Sequence, residues 1–282
     1  MSGGEPQSQP QPQPQPIYRL VQGRSPLIIS VPHVGTALPP HIEARMTAAA
    51  RALPDTDWHV DRLYDFAVAG GASLLAAQYS RYVVDLNRPP DDSRLYSGQV
   101  HTGLCPLHSF AGEPLYRDAA DALPAEELQL RRERFWQPYH AALAATIAAT
   151  RERHGHALLL DAHSIRSRVP RLFAGRLPDL NLGTDDGRAC EPQRVQPLLQ
   201  ILAAQRRFSS VLNGRFKGGY ITRHYGAPAQ GVHALQIELA QASYMDESGC
   251  AYEETRAVEL KRLLERLLGA LLGQAPAATA TP

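Results

Sequence analysis

The stretch HALLLDAHSIRSR, residues 156–168, decides the fold. Three leucines in a row, bounded by polar residues, read as a strand buried on both faces of a parallel sheet. In open α/β sheets the ligand crevice lies at the carboxyl ends of such strands. Asp161, His163 and Ser164 therefore fall where chemistry is done in this class of fold. A histidine at that point suits a metal ligand, a general base or a hydrogen-bonded structural residue.

Working outward, strand-like runs alternate with helical ones. PLIISVPH (26–33) reads as a first buried strand ending in a Pro-His turn. HIEARMTAAARAL (41–53) has helical spacing, and DTDWHVDRLYDFAVAGG (55–71) reads as a helix stopped by its glycine pair. SLLAAQYSRYVVDLNRP (73–89) holds two short strand-like runs and a proline stop. Residues 90–118 form a long irregular segment, of the kind that is often functional. Residues 124–155 are helical with an expected kink at Pro138. A second irregular stretch, 165–190, precedes the helical EPQRVQPLLQILAAQRR, and ALQIELA reads as a late buried strand. An amphipathic helix over 253–273 closes the chain. The pattern predicts one α/β domain, 17–273, with a largely parallel sheet.

Bulk properties agree. Of 282 residues, 44% are hydrophobic and the net charge is +1, so there is material for a large core and no electrostatic footprint for nucleic acid or an anionic membrane. No apolar run approaches the ~20 residues of a membrane span, and no targeting signal opens the chain. Residues 1–16, MSGGEPQSQPQPQPQP, read as a disordered Gln/Pro tail, and 274–282 as a frayed end. Cys105, Cys190 and Cys250 form neither a disulfide framework nor a metal knuckle, which suits a reducing cytoplasm. No feature sets an oligomeric state.

Four strand-like runs, IISVPHVG, YVVDLNR, LLLDAHS and LQIELA, contain residues a core would not choose. His33 and His163 each follow an apolar strand, and catalytic zinc commonly takes three protein ligands. DTDWHVD offers Asp55, Asp57, His59 and Asp61 as further donors. Asp57 and Asp61 are spaced to share a helix face, although helix capping also explains acids there. Glu238 inside LQIELA is costly when ionised, and burial raises the pKa of such a group into a range useful for a base. A salt bridge to a core arginine is the plainer account. Arg81, Asn87, Arg88, Lys217 and Arg223 supply groups able to grip a carboxylate, as do Arg166 and Arg168 in SIRSRVPR. The pair of glycines after Lys217 permits close backbone approach to a ligand. No nucleophile elbow surrounds Ser164, and no phosphate or dinucleotide loop is present.

Together the blocks SVPHVGTALP, LPDTDWHVDRLYDFA, YSRYVVDLNRPP, LYRD, LLDAHSIRSRVPRLFAGRLPDLNLGT, GRFKGGYITRHYG and HALQIELAQASYMDE resemble, in order, those of the N-formylglutamate amidohydrolase family over about residues 25–247. The resemblance implies an α/β fold related to zinc carboxypeptidases and aspartoacylases, with helices flanking a mixed, mainly parallel sheet. It implies hydrolysis of N-formyl-L-glutamate, a small dicarboxylate, to formate and glutamate at the end of a histidine-degradation route. His33 and His163 match the zinc histidines of that larger group, with Asp57 as the carboxylate ligand and Asp61 in reserve. Another divalent metal could serve in place of zinc. Glu238 matches the general base, and Asn87 with Arg88 the carboxylate clamp. Arg223, with Arg81 and Lys217, would serve the rest of the substrate, and Asp161 would orient His163. Two other functions fit the same residues. One is a zinc hydrolase for another N-acyl amino acid or peptide, and the other a non-catalytic metal- or ligand-binding protein.

Overall fold

The computed structural model describes residues 15–95, 100, 102–118 and 123–273; of the two tails expected at 1–16 and 274–282, residues 1–14 and 274–282 lie outside them. Strands β1 (Tyr18–Val21), β2 (Leu27–Val31), β3 (Ser73–Ala77), β4 (Ala157–Ile165), β5 (Leu180–Gly183), β6 (Ser210–Leu212) and β7 (Val232–Ala240) build one sheet. Its order is β1-β3-β2-β4-β7-β5-β6. The four central strands β3, β2, β4 and β7 run parallel, while β1 and β5 pair antiparallel at the flanks. The sheet is thus mixed and mainly parallel, as expected.

Helices cover both faces. They are α1 (Pro40–Glu43), α2 (Ala48–Arg51), α3 (Val60–Leu63), α4 (Asp65–Ala69), α5 (Ala125–Arg131), α6 (Gln137–His154), α7 (Pro192–Ala204), α8 (Tyr220–Tyr225) and α9 (Glu254–Leu271). A two-stranded ladder, β8 (Met245–Asp246) with β9 (Ala251–Tyr252), precedes α9. Among the described residues no helix is long and apolar enough to cross a membrane.

Period-two alternation along β4 and β7 sorts the core. Leu158, Leu160 and Ala162 join Leu235, Ile237 and Leu239 on the face packed by Leu198 of α7 and by Leu260, Leu264 and Leu267 of α9. Ala157 and Leu159 join Val232 and Ala234 on the opposite face, against Tyr139 and Leu143 of α6. Each such leucine, fully buried, contributes about 1.5–3 kcal/mol. On that second face the next residues in register are polar: Asp161 beside Gln236, and His163 beside Glu238. The site begins where one sheet face runs out of apolar side chains.

Chain order supplies the crevice. From β2 the chain crosses to β3 on one side and then returns to β4 on the other, so the connections part beyond the ends of β2 and β4. That is a topological switch point.

Three local expectations are corrected. Residues 41–53 form two single turns, α1 and α2, and 55–59 are not helical: α3 starts only at Val60, after His59 at φ 61°. YVVDLNR is buried but is no strand, because helix side chains rather than a neighbouring strand satisfy its carbonyls. Arg131 Nη1 donates to Val83 O at 3.2 Å, His140 Nε2 to Leu86 O at 2.9 Å and Trp136 Nε1 to Arg88 O at 3.0 Å. The irregularity expected at Pro138 takes the form of a π-helical turn, Arg132–Trp136, immediately before it. Proline cannot donate to the preceding turn, and a widened turn accommodates the loss.

Candidate metal centre and catalytic cavity

His33 lies two residues beyond β2, His163 sits inside β4, and Asp57 is carried by the turn between α2 and α3. A backbone bond from Asp57 N–H to His33 O, 3.0 Å, ties two of the three together. Leu53 and His59, both non-glycine residues in the left-handed region, bracket that turn. One donor atom from each of the three residues falls within 4.8 Å of the others, and all three side chains are buried.

The imidazoles are aimed by carboxylates behind them. Asp85 Oδ1 is 2.7 Å from His33 Nε2, and Asp161 Oδ1 is 2.9 Å from His163 Nε2. A carboxylate at Nε2 favours the proton there and leaves Nδ1 as the donor to a metal. Both Nδ1 atoms face Asp57 Oδ2, at 3.7 Å from His33 and 3.0 Å from His163. These separations bracket the ~3.4 Å edge of a tetrahedron built on bonds of about 2.0–2.1 Å. His33 Nδ1 is buried without a hydrogen-bond partner, an unusual condition that a metal would relieve. The residues fit a divalent ion, and two imidazoles with a carboxylate suit zinc.

Electrostatics agree with a cation site. Burial alone would raise the carboxyl of Asp57, but hydrogen bonds and charge from His163 and His33 overcome it and hold the pKa well below the usual range. Burial likewise opposes charge on His163, yet Asp161 and Asp57 raise its pKa well above normal. Asp85 stays ionised against its burial through His33, Arg81 and Arg88. Arg81 explains part of this balance: its Nη2 is 2.7 Å from Asp85 Oδ2 and its Nη1 3.5 Å from Asp57 Oδ1.

Glu238 stands beside His163 in the β4–β7 ladder. Burial pushes its pKa up to about 8, further raised by Asp57 and opposed by His163 and Arg81. Gln236 Nε2 donates to Glu238 Oε2 at 3.2 Å, and the salt bridge that would have made Glu238 structural is absent among the described residues. His33, His163, Gln236 and Glu238 open on one cavity of about 90 Å³.

The cationic groups divide. Arg88 lines that cavity, with Nη2 2.7 Å from Thr102 Oγ1, and among the described residues it pairs with no carboxylate. Asn87 also lines it, but its side chain is heavily engaged. Nδ2 donates to Asp161 Oδ2 at 3.0 Å, and Oδ1 accepts Ile221 N–H at 2.7 Å. Gly219 lets Asn87 pack this closely, since a Cβ there would lie 2.3 Å from Asn87 Nδ2, and it also lines the cavity. Arg223 pairs with Asp185 at 2.5 Å and Lys217 with Asp186 at 3.0 Å, and neither lines the cavity. Asp61 is on the surface with Arg19, 3.0 Å away, so the reserve ligand is far from its expected duty. Arg166 and Arg168 line a neighbouring cavity.

Among the polar residues that escaped the sequence reading, Thr102, Arg215 and Gln236 line the cavity and Asp85 stands behind His33. A signal existed for two of them. Asp85 is an acid within an apolar run, and Gln236 sits two residues before Glu238 on the same strand face.

The profile of the N-formylglutamate amidohydrolase family matches residues 25–245. An N-formylglutamate deformylase from Pseudomonas aeruginosa is 56% identical over 253 residues, covering 88% of this chain and 94% of that protein. One from Pseudomonas putida is 51% identical, covering 89% and 94%. A crystal structure of N-formylglutamate amidohydrolase from Ralstonia eutropha shares the fold at a TM-score of 0.78 and 29% identity, covering 90% of this chain and 96% of that one. A gene product from Agrobacterium tumefaciens, at 16% identity and a TM-score of 0.70, shares the fold.

Proposed function

The chain belongs to the N-formylglutamate amidohydrolase family, and from that premise we propose that it is a metal-dependent deformylase that cleaves N-formyl-L-glutamate to formate and L-glutamate. That reaction ends one route of histidine degradation, and we assign the chain to it. The observation that carries the reading is the buried His33–Asp57–His163 cluster, whose two histidines open on the same small cavity as Glu238.

His33 Nδ1, Asp57 Oδ2 and His163 Nδ1 would hold the ion. When bound, a divalent metal such as zinc polarises a carbonyl oxygen and makes water acidic enough to attack near neutral pH. Glu238 takes a proton from the attacking water and delivers it to the leaving amine nitrogen. Its raised pKa suits both halves of that task, since the group must accept a proton and release it near pH 7. Arg81, fixed by Asp85 and Asp57 and lining the cavity, places positive charge where the tetrahedral oxyanion develops. Arg88 and Arg215, which also line the cavity, take the two substrate carboxylates. Asn87 acts from behind, holding Asp161 against His163.

Formate release from N-formyl-L-glutamate, measured on metal-stripped protein before and after zinc is restored, tests the proposal. Zinc-dependent release is expected. Folded protein that releases no formate with zinc or another divalent metal would remove the assignment.

A further inference from the structure

A second cavity, of about 290 Å³, lies next to the catalytic one of about 90 Å³. Two side chains, Phe110 and Ile165, line both. Phe110 is the more exposed of the pair and stands on a loop. Its ring centroid is 4.6 Å from the guanidinium carbon of Arg81, and Arg81 is bonded to Asp85 and Asp57. The ring therefore sits at the metal end of the catalytic cavity, where the scissile acyl carbon must lie. Its backbone is pinned as well: Phe110 N–H donates to Asp55 Oδ2 at 2.7 Å, and the same oxygen accepts Tyr82 O–H at 2.7 Å. Beyond the ring the second cavity has apolar walls from Pro54, Val169 and Pro170, with Asp55, Glu113, Arg166 and Arg168 also in its lining.

We propose that Phe110 is the partition that limits the acyl group to one carbon, a reading that rests on the deformylase assignment above. With the ring in place a longer acyl chain has nowhere to go; with it removed the neighbouring cavity accepts the chain. The chemistry is unchanged. Water oxygen bonds to the acyl carbon, the C–N bond breaks, the nitrogen takes a proton, and the products are a carboxylate and glutamate.

The test compares kcat/KM of the zinc-loaded enzyme for N-formyl-, N-acetyl- and N-butyryl-L-glutamate in the wild type, Phe110→Ala and Phe110→Leu. The butyryl-to-formyl ratio should rise at least about tenfold in Phe110→Ala and by less in Phe110→Leu, as expected when apolar space opens at an acyl site. Adding Ala111→Phe, which fills the second cavity from its exposed side, should return the ratio towards the wild-type value. If Phe110→Ala does not fold, Phe110→Leu decides. Formate release retained with an unchanged ratio overturns the partition alone. A wild type that releases no formate overturns the deformylase assignment and the partition together.

Discussion

Two regions of the cavity are built by opposite means. His163 and Glu238 sit on paired strands, where nine consecutive residue pairs of β4 and β7 fix register and facing direction. Asp85, Asn87 and Arg88 sit on a buried segment without a ladder, positioned by Arg131, Trp136 and His140 reaching across from one helical stretch. The π turn matters to the second arrangement, because its wider pitch lets Arg131 and Trp136, five apart, address the same segment. A ladder distributes its constraint over many backbone bonds. The other segment depends on a few side chains, each removable by one substitution.

That contrast can be broken at four points. The largest effect is expected on the strand side: Glu238→Gln should lower turnover by about 10²–10⁴-fold, as for loss of a positioned acid–base group. Zinc content, by metal analysis, should be unchanged. Wild-type turnover would take Glu238 out of the reaction.

On the helix side, His140 holds Leu86 O while burial pushes its own pKa down to about 4. The folded state then binds fewer protons than the unfolded state between about pH 6.5 and 4, so stability falls as pH falls through that window. The loss from this group is on the order of 3 kcal/mol. Urea midpoints at pH 7.5 and 4.5 should differ less in His140→Gln than in the wild type. Equal differences would show that another group sets the acid limit.

Asp85→Asn should weaken zinc binding by roughly 10–100-fold in chelator competition, because His33 loses the carboxylate that sets its tautomer. Unchanged affinity would mean the segment only packs against the site. The smallest effect belongs to Trp136→Phe, which deletes the donor to Arg88 O. A loss of about 1 kcal/mol should appear as roughly a fivefold rise in KM for N-formyl-L-glutamate, with kcat nearly constant. A fall in kcat instead would place the effect at the metal end.

Sequence alone determined what is local or periodic. The apolar run of β4, the acid inside β7, a histidine at the end of each of two apolar runs and a largely parallel sheet were legible from short-range pattern. The mixed character of the sheet came from the family likeness, and β4 in fact continues past His163 to Ile165. The likeness of the ordered blocks to a family pointed to Asp57. Tertiary structure decided the rest. Spacing suggested that Asp57 and Asp61 were interchangeable on one helix, but the left-handed turn at His59 separates them, sending one to His33 and His163 and the other to Arg19 at the surface. Arg223 and Arg215 are equally good carboxylate partners as letters. Asp185, well separated from both in the chain, pairs with the first, and the second lines the cavity. Asp85 looked like part of a strand until helix side chains, more than forty residues away, took over its neighbours' carbonyls. The physical reason is common to all three. A side chain's type sets what it can bind, but its partner is chosen by the contacts that compete for it, and those come from distant parts of the chain.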